Sequence, residues 1–161
     1  MNVMDIASYQ PYPSKALSNF AQHTFTVDSV VCFSMEGFLQ SLKFDNLRRQ
    51  AQICLLIGKD AKYASRSRNQ LWKDKQVLWW RGVVYDRHSK GYQDLLDRAF
   101  AALSQVPEFQ KALIDSGDAQ LTHTLGWNEP RQTILTRDEF CTRLMKIRKE
   151  LQDKPSDRSK T

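Results

Sequence analysis

Apolar runs of the ~20 residues that a membrane-spanning helix needs are missing from the sequence. Met1 to Gln10 carry the acidic Asp5 and lack a basic segment followed by an apolar one, so they do not read as a secretory signal. A soluble, cytoplasmic protein with no membrane partner is expected. Cysteine is scarce: Cys32, Cys54 and Cys141 are odd in number, far apart and set among apolar neighbours. That pattern argues against a disulfide framework and for reduced, buried thiols. A nucleophilic cysteine would need an electropositive, partly exposed setting. His23, His88 and His123 show no paired zinc-ligand spacing, so neither a metal nor a cofactor is expected. Internal repeats, low-complexity blocks and Gly/Ser linkers are also absent, and 161 residues fit one domain.

What is present is an average globular composition, with 41% hydrophobic and 26% charged residues, and a net charge of +6. The charge is concentrated. Lys59, Lys62, Arg66, Arg68, Lys73 and Lys75 face only Asp60 and Asp74 in the same window. Such a patch attracts phosphate groups, on a nucleotide or on a nucleic acid, though a solvated face has the same composition.

Local patterns predict a mostly helical α+β domain over residues 1–151 with a small hairpin or sheet, and a disordered polar tail over 152–161. The stretch to Pro13 reads as irregular or extended. Thr24 to Phe33 reads as a short hairpin turning at Asp28-Ser29. Ser34 is placed to cap a helix running through Phe44, with Met35, Phe38, Leu39 and Leu42 on one apolar face. Glu36, Gln40 and Lys43 make a second, polar row. A further helix is expected from about Asn46 to Ile57, ending at Gly58. Val77 to Val84 fit strand or helix equally. Helical period returns from Gln93 to Leu103; Pro107 opens another helix that Gly117 closes. Thr136 and Glu139 form a capping box for the last helix, striped by Phe140, Leu144, Ile147 and Leu151.

The segment Ala16-Leu17-Ser18-Asn19-Phe20, followed by Phe33 to Phe44 (FSMEGFLQSLKF), is the most specific part of the chain. It resembles the NADAR (YbiA-like) family: an L-S-N-F loop, then a glutamate, a glutamine four residues on, and a lysine–phenylalanine pair three beyond. The resemblance continues at Gly58 to Lys62, at Trp72, over Pro107 to Leu113 and Ser116 to Leu121, and in Leu144 to Arg148. It implies a single helix-rich α+β domain acting on ribosylated small molecules or nucleic acids. The activities implied are hydrolysis of a ribosylamine in a riboflavin-pathway intermediate and removal of ADP-ribose from guanine bases. For a phage-borne member the host cytoplasm would be the setting. Two tracts depart from the family: Leu121-Thr122-His123 where a glutamate often follows, and Leu125-Gly126-Trp127 in place of D-x-x-W-G.

Cleaving a ribosylated amine requires protonation of the leaving nitrogen or stabilisation of cationic character at the anomeric carbon, which a carboxylate can supply. An amine can also attack the carbon of a ring-opened sugar, giving a Schiff base for water to hydrolyse. Glu36 and Lys43 are therefore the catalytic candidates, although their spacing alone is also that of a solvated helix face. The lysine would have to be lowered by burial to attack. Ser18, Asn19 and Gln40 suit ribose hydroxyls, and Phe20 a base or the core. Lys62 and Arg66 suit a diphosphate. Trp79, Trp80 and Trp127 could stack a purine, with Trp80 and Trp127 expected to be partly exposed. His123 could replace the second acid. Tyr85-Asp86-Arg87-His88 is expected to form a turn beside the site. The reading from sequence is an N-glycosidase whose substrate is an ADP-ribosylated nucleotide or nucleic acid. A phosphoribosylamino-pyrimidine hydrolase and a non-catalytic ADP-ribose- or nucleic-acid-binding module stay open as alternatives.

Overall fold

The computed structural model describes residues 2–154. The chain begins with β1 (Val3–Asp5) and the single turn α1 (Ser14–Leu17), then β2 (Phe25–Val27) and β3 (Val30–Cys32). β2 and β3 are antiparallel, with Val27 facing Val30. Asp28 and Ser29 between them have φ of 49° and 71°, the left-handed pair that a tight two-residue hairpin requires.

Ser34 caps α2 (Met35–Ser41) by accepting from Gly37 N at 2.9 Å, and its hydroxyl donates to Leu56 O. α2 is buried on every side. Gly37 makes this possible: a Cβ there would stand 2.7 Å from Leu56 O and 2.9 Å from Ile53 O. The helix stops at Ser41, short of the expected Phe44. Its last amides tighten to bonds three residues back, from Lys43 N to Gln40 O and Phe44 N to Ser41 O. The carbonyls of Leu42 and Lys43 are taken by Trp79 N and Arg68 Nε. Lys43 therefore lies in the turn after α2, so its position is not set by a helical row shared with Glu36.

α3 (Leu47–Cys54), capped by Asn46, likewise ends early, because Cys54 O accepts from Phe33 N and Leu56 O from Ser34. Next come α4 (Gly58–Ala64), a 3-10 turn over Arg66–Arg68, and α5 (Asn69–Lys75). β4 (Val77–Trp80) and β5 (Val83–Asp86) resolve the ambiguous middle as a hairpin, turning on Arg81 and Gly82 at φ of 50° and 83°. α6 (Lys90–Leu103), α7 (Pro107–Asp115), β6 (Gln120–Thr122) and α8 (Arg137–Asp153) complete the α+β domain. The capping box of Thr136 and Glu139 is formed. α8 continues through Gln152 and Asp153, where a polar tail was expected, because Gln152 reaches Gly117 O at 3.0 Å. The remainder of that tail, 155–161, lies outside the described residues.

Packing is organised on α2. Phe38 and Leu42 enter a core with Tyr92, Phe100, Phe109 and Leu144. β1 and β6 pair in parallel, Met4 against Leu121, so the opening stretch is partly strand and is seated beside the end of β6. Cys32, Cys54 and Cys141 are free and buried. Among the described residues no helix is long and apolar enough to cross a membrane.

Candidate active site

A cavity of about 410 Å³ lies beside α2, within the ~300–1,000 Å³ of small-molecule clefts. Its floor is Glu36, Leu39 and Gln40; the loop before β2 contributes Ser18, Asn19 and Phe20, and α4 and α5 contribute Lys62 and Lys73. The segment after β1 adds Ala7 and Ser8, and that after β6 adds His123, Leu125, Gly126 and Trp127.

Glu36 is held from several directions. Its backbone N–H donates to Asn19 O at 2.9 Å, tying the L-S-N-F loop to the first turn of α2. Its Oε1 accepts from Gln40 Nε2 at 2.7 Å, and Gln40 Oε1 in turn accepts from the buried Ser65 hydroxyl. That relay fixes which end of the Gln40 amide faces the carboxyl. Burial raises the Glu36 pKa, and it prevails over the hydrogen bond from Gln40 and over Lys43, Lys62 and His123, all of which favour the ionised form. The group is an acid that keeps its proton to higher pH than an exposed glutamate.

Lys43 is buried, and its Nζ donates to Asn69 Oδ1 at 2.6 Å. Burial pulls its pKa down to about 8; Lys73 and Lys62 add to that, while Glu36 opposes it. The side chain is not among those lining the cavity.

In the loop, Ser18 Oγ accepts from Phe20 N at 3.2 Å, which closes the turn. Asn19 Oδ1 is buried with no partner among the described residues, a free acceptor on a side chain of the cavity wall. His123 Nδ1 lies 2.7 Å from Ile6 O, so Nδ1 carries the proton and Nε2 is left free. The imidazole packs edge-on against Phe140, and a Cβ on Gly126 would stand only 2.5 Å from His123 Cδ2. Trp127 is 59% exposed at the rim, with Lys73 Nζ 5.9 Å from its ring.

Eight of the eleven residues singled out from sequence therefore line one cavity: Ser18, Asn19, Phe20, Glu36, Gln40, Lys62, His123 and Trp127. Lys43, Arg66 and Trp80 do not. Arg66 is exposed and sits over Tyr63 at 5.9 Å. Trp80 was expected to be partly exposed; it is 2% exposed, edge-on to Phe38, with Nε1 donating to Asp28. Strand alternation decides this, since Leu78 and Trp80 point inward and Trp79 outward.

Lys73, Ser8 and Thr133 were not singled out from sequence. Lys73 was visible only as one of six cations in a cluster, and Ser8 depends on the long-range β1–β6 pairing. Of the Tyr85-to-His88 tract, expected to form a turn, Tyr85 and Asp86 end β5 and only Arg87 and His88 turn. Arg87 is buried, forks onto Glu139 at 2.7 and 3.1 Å, and donates to Thr133 O at 3.0 Å. It packs over Tyr92, whose hydroxyl donates to Ile134 O. This strut supports the cavity wall at Thr133 to Leu135. Among the described residues no cluster of His, Cys, Asp and Glu is placed to hold a metal ion.

Known proteins add a lineage to this geometry. A structure of the E. coli protein YbiA, solved by NMR, superposes with a TM-score of 0.61 over 98% of this chain and 91% of that one, at 15% identity, a likeness of fold. An uncharacterized 17.1 kDa protein of the Gp30-rIII intergenic region of Enterobacteria phage T4 is 37% identical over 153 residues, covering 94% of this chain and all of that protein. Residues 11–149 match the family model described as Bacteriophage protein GP30.3, and the chain belongs to that family.

Proposed function

We propose that the protein is an N-glycosidase of the NADAR type that hydrolyses the bond between ribose and a base, with ADP-ribosylated guanine in a nucleotide or nucleic acid as substrate in the host cytoplasm. The observation that carries this reading is Glu36: a buried carboxyl with a raised pKa, on the floor of a cavity whose other walls bear Asn19, Phe20 and His123. A carboxyl that keeps its proton in that position can supply the proton that opens the ribose before the sugar–nitrogen bond breaks. The Asn19 side chain and the free His123 Nε2 take hydrogen bonds with the ribose, and Trp127 stacks the base. Lys62 and Lys73 face the diphosphate.

Lys43 enters as a nucleophile. Its pKa near 8 leaves an appreciable neutral fraction at physiological pH. Glu36 donates a proton to the ribose ring oxygen, opening the sugar to an imine on the base. The neutral Nζ adds to C1, one of its protons passes to the base nitrogen as the C1–N bond to the base breaks, and water hydrolyses the resulting Lys43 imine to the free sugar and the lysine amine, with Glu36 reprotonated. Attack requires Nζ to swing from Asn69 toward the cavity.

The test is incubation with DNA ADP-ribosylated on guanine, following released ADP-ribose. Glu36→Gln is expected to lower release by about 100-fold or more, the usual range for a general acid. Borohydride added during turnover is expected to fix a sugar adduct on the Lys43 peptide. Full activity in Lys43→Met would eliminate the imine step, and no release from intact wild type would eliminate the hydrolase. Lys43, bonded to Asn69 and not lining the cavity, favours one other reading: a module that binds ADP-ribose without cleaving it. Tight ADP-ribose binding with no base released from any substrate, phosphoribosylamino-pyrimidine included, would select it.

A further inference from the structure

Beyond the cavity, the turn after α2 carries a second arrangement of cations and rings. Arg68 Cζ lies 5.2 Å from the Phe44 ring centre and 6.0 Å from that of Trp79, and Arg49 Cζ lies 5.7 Å from Phe44. Hydrogen bonds lock the platform together: Arg68 Nε donates to Lys43 O, Trp79 N to Leu42 O, and Gln50 Nε2 to both Phe44 O and Trp79 O. Arg48 and Arg49 are exposed, as is Leu47 between them and the capping Asn46. Among the described residues, neither Arg48 nor Arg49 has a carboxylate within ion-pair distance, and Arg68 has only the exposed Asp45 at 3.5 Å. None of these residues lines the cavity.

We propose that Arg49 and Arg68, mounted on Phe44 and Trp79, form with the neighbouring exposed Arg48 an exosite for single-stranded nucleic acid. Charge complementarity selects a polyanion: the Arg49 and Arg68 guanidinium groups meet over Phe44, Arg48 is exposed next to Arg49 in sequence, and the exposed Asp45 is the carboxylate paired with Arg68, in a chain of net charge +6. The rings select the strand. Arg68 is held against aromatic faces, so little side-chain freedom is lost when it takes a phosphate. The outward face of Trp79 and the bare Leu47 offer apolar surface to unpaired bases, which a duplex keeps stacked inside. The exosite abuts the cavity through the chain itself: Gln40 on the cavity floor precedes Phe44 by four residues, and Ser65, bonded to Gln40, precedes Arg68 by three. A strand bound here would present its neighbouring nucleotides near the cavity. Binding needs no catalytic residue, so it stands apart from the hydrolase reading.

The test uses the full chain and an unmodified, fluorescein-labelled oligothymidylate of about 12 nucleotides, within the ~4–16 nucleotides that a single-stranded site covers. Anisotropy is followed over a salt series, with an oligouridylate arm to compare DNA with RNA backbones. Three phosphate contacts predict a slope of about −2 in log K against log salt, at roughly 0.7 per phosphate. The exposed pair Arg48→Glu and Arg49→Glu is expected to weaken binding by about tenfold or more at low salt and to flatten the slope. Lys62→Ala with Lys73→Ala, at the cavity, is expected to leave it within about threefold. Absence of binding overturns the proposal. So does equal affinity for a duplex, or a loss produced by the cavity pair and not by the arginine pair. ADP-ribose release with no oligonucleotide binding would sink the exosite alone, and the converse would sink the hydrolase alone.

Discussion

Glu36 and Lys43 are titratable groups held where their charged forms are disfavoured, and this has consequences for stability that do not depend on any substrate. A carboxyl with a raised pKa binds its proton more tightly in the folded chain, so its contribution is greatest in acid and falls once pH passes the ordinary carboxyl value. Glu36→Gln is therefore expected to raise the melting temperature at about pH 8 and to lose that advantage at about pH 3, below the ordinary glutamate range. A pH-independent difference would refute the buried-acid argument. Lys43 has the opposite sign. Its pKa falls from 10.5 to about 8, so across that interval the unfolded chain holds more protons and stability rises with pH. Lys43→Met is expected to stabilise the neutral protein by at most roughly 3 kcal/mol, at about 1.36 kcal/mol per pH unit of displacement. The gain should vanish above pH 10.5 in urea titrations. Gly126→Ala is expected to cost about 1–3 kcal/mol and to displace the imidazole, because the added methyl would stand 2.5 Å from His123 Cδ2.

At the scale of elements, the buried Arg87–Glu139 pair joins the end of β5 to the start of α8 and braces the cavity wall at Thr133. Arg87→Met would strand Glu139 and is expected to cost about 3–5 kcal/mol in urea unfolding. Amide exchange should accelerate first over 133–136; uniform acceleration would mean that the strut has no local role. Elements whose signals are local were legible in the sequence: the hairpin on Asp28-Ser29, α7 between Pro107 and Gly117, and α8 behind its capping box. The ends of α2 and α3 were not, because their last carbonyls are claimed by Trp79, Arg68, Phe33 and Ser34 from elsewhere in the chain. Period alone could not reveal that competition. The β4–β5 hairpin was ambiguous for another reason: a run of valines and tryptophans fits either state, and only Arg81-Gly82 marks the turn.

At the scale of the molecule, the cavity was legible wherever its residues are near neighbours, as in Ser18 to Phe20 with Glu36 and Gln40. It was not legible where the wall is made by distant segments. Ala7 and Ser8 face His123 only because β1 pairs with β6, a relation that leaves no periodic trace. Deleting residues 1–5 is expected to release His123 from Ile6 O, seen as exchange broadening of its Nδ1 proton resonance; an unchanged signal would show that the pairing does not hold the imidazole. The same pairing sets an order of events. Ile6 and His123 are 117 residues apart in the chain, so the bond between them closes a loop of most of the molecule. During synthesis, Ser18 to Gln40 leave the ribosome long before β6, so the side of the cavity made by His123 to Trp127 is added later. The chamber around Glu36 therefore closes only once β6 and α8 are in place.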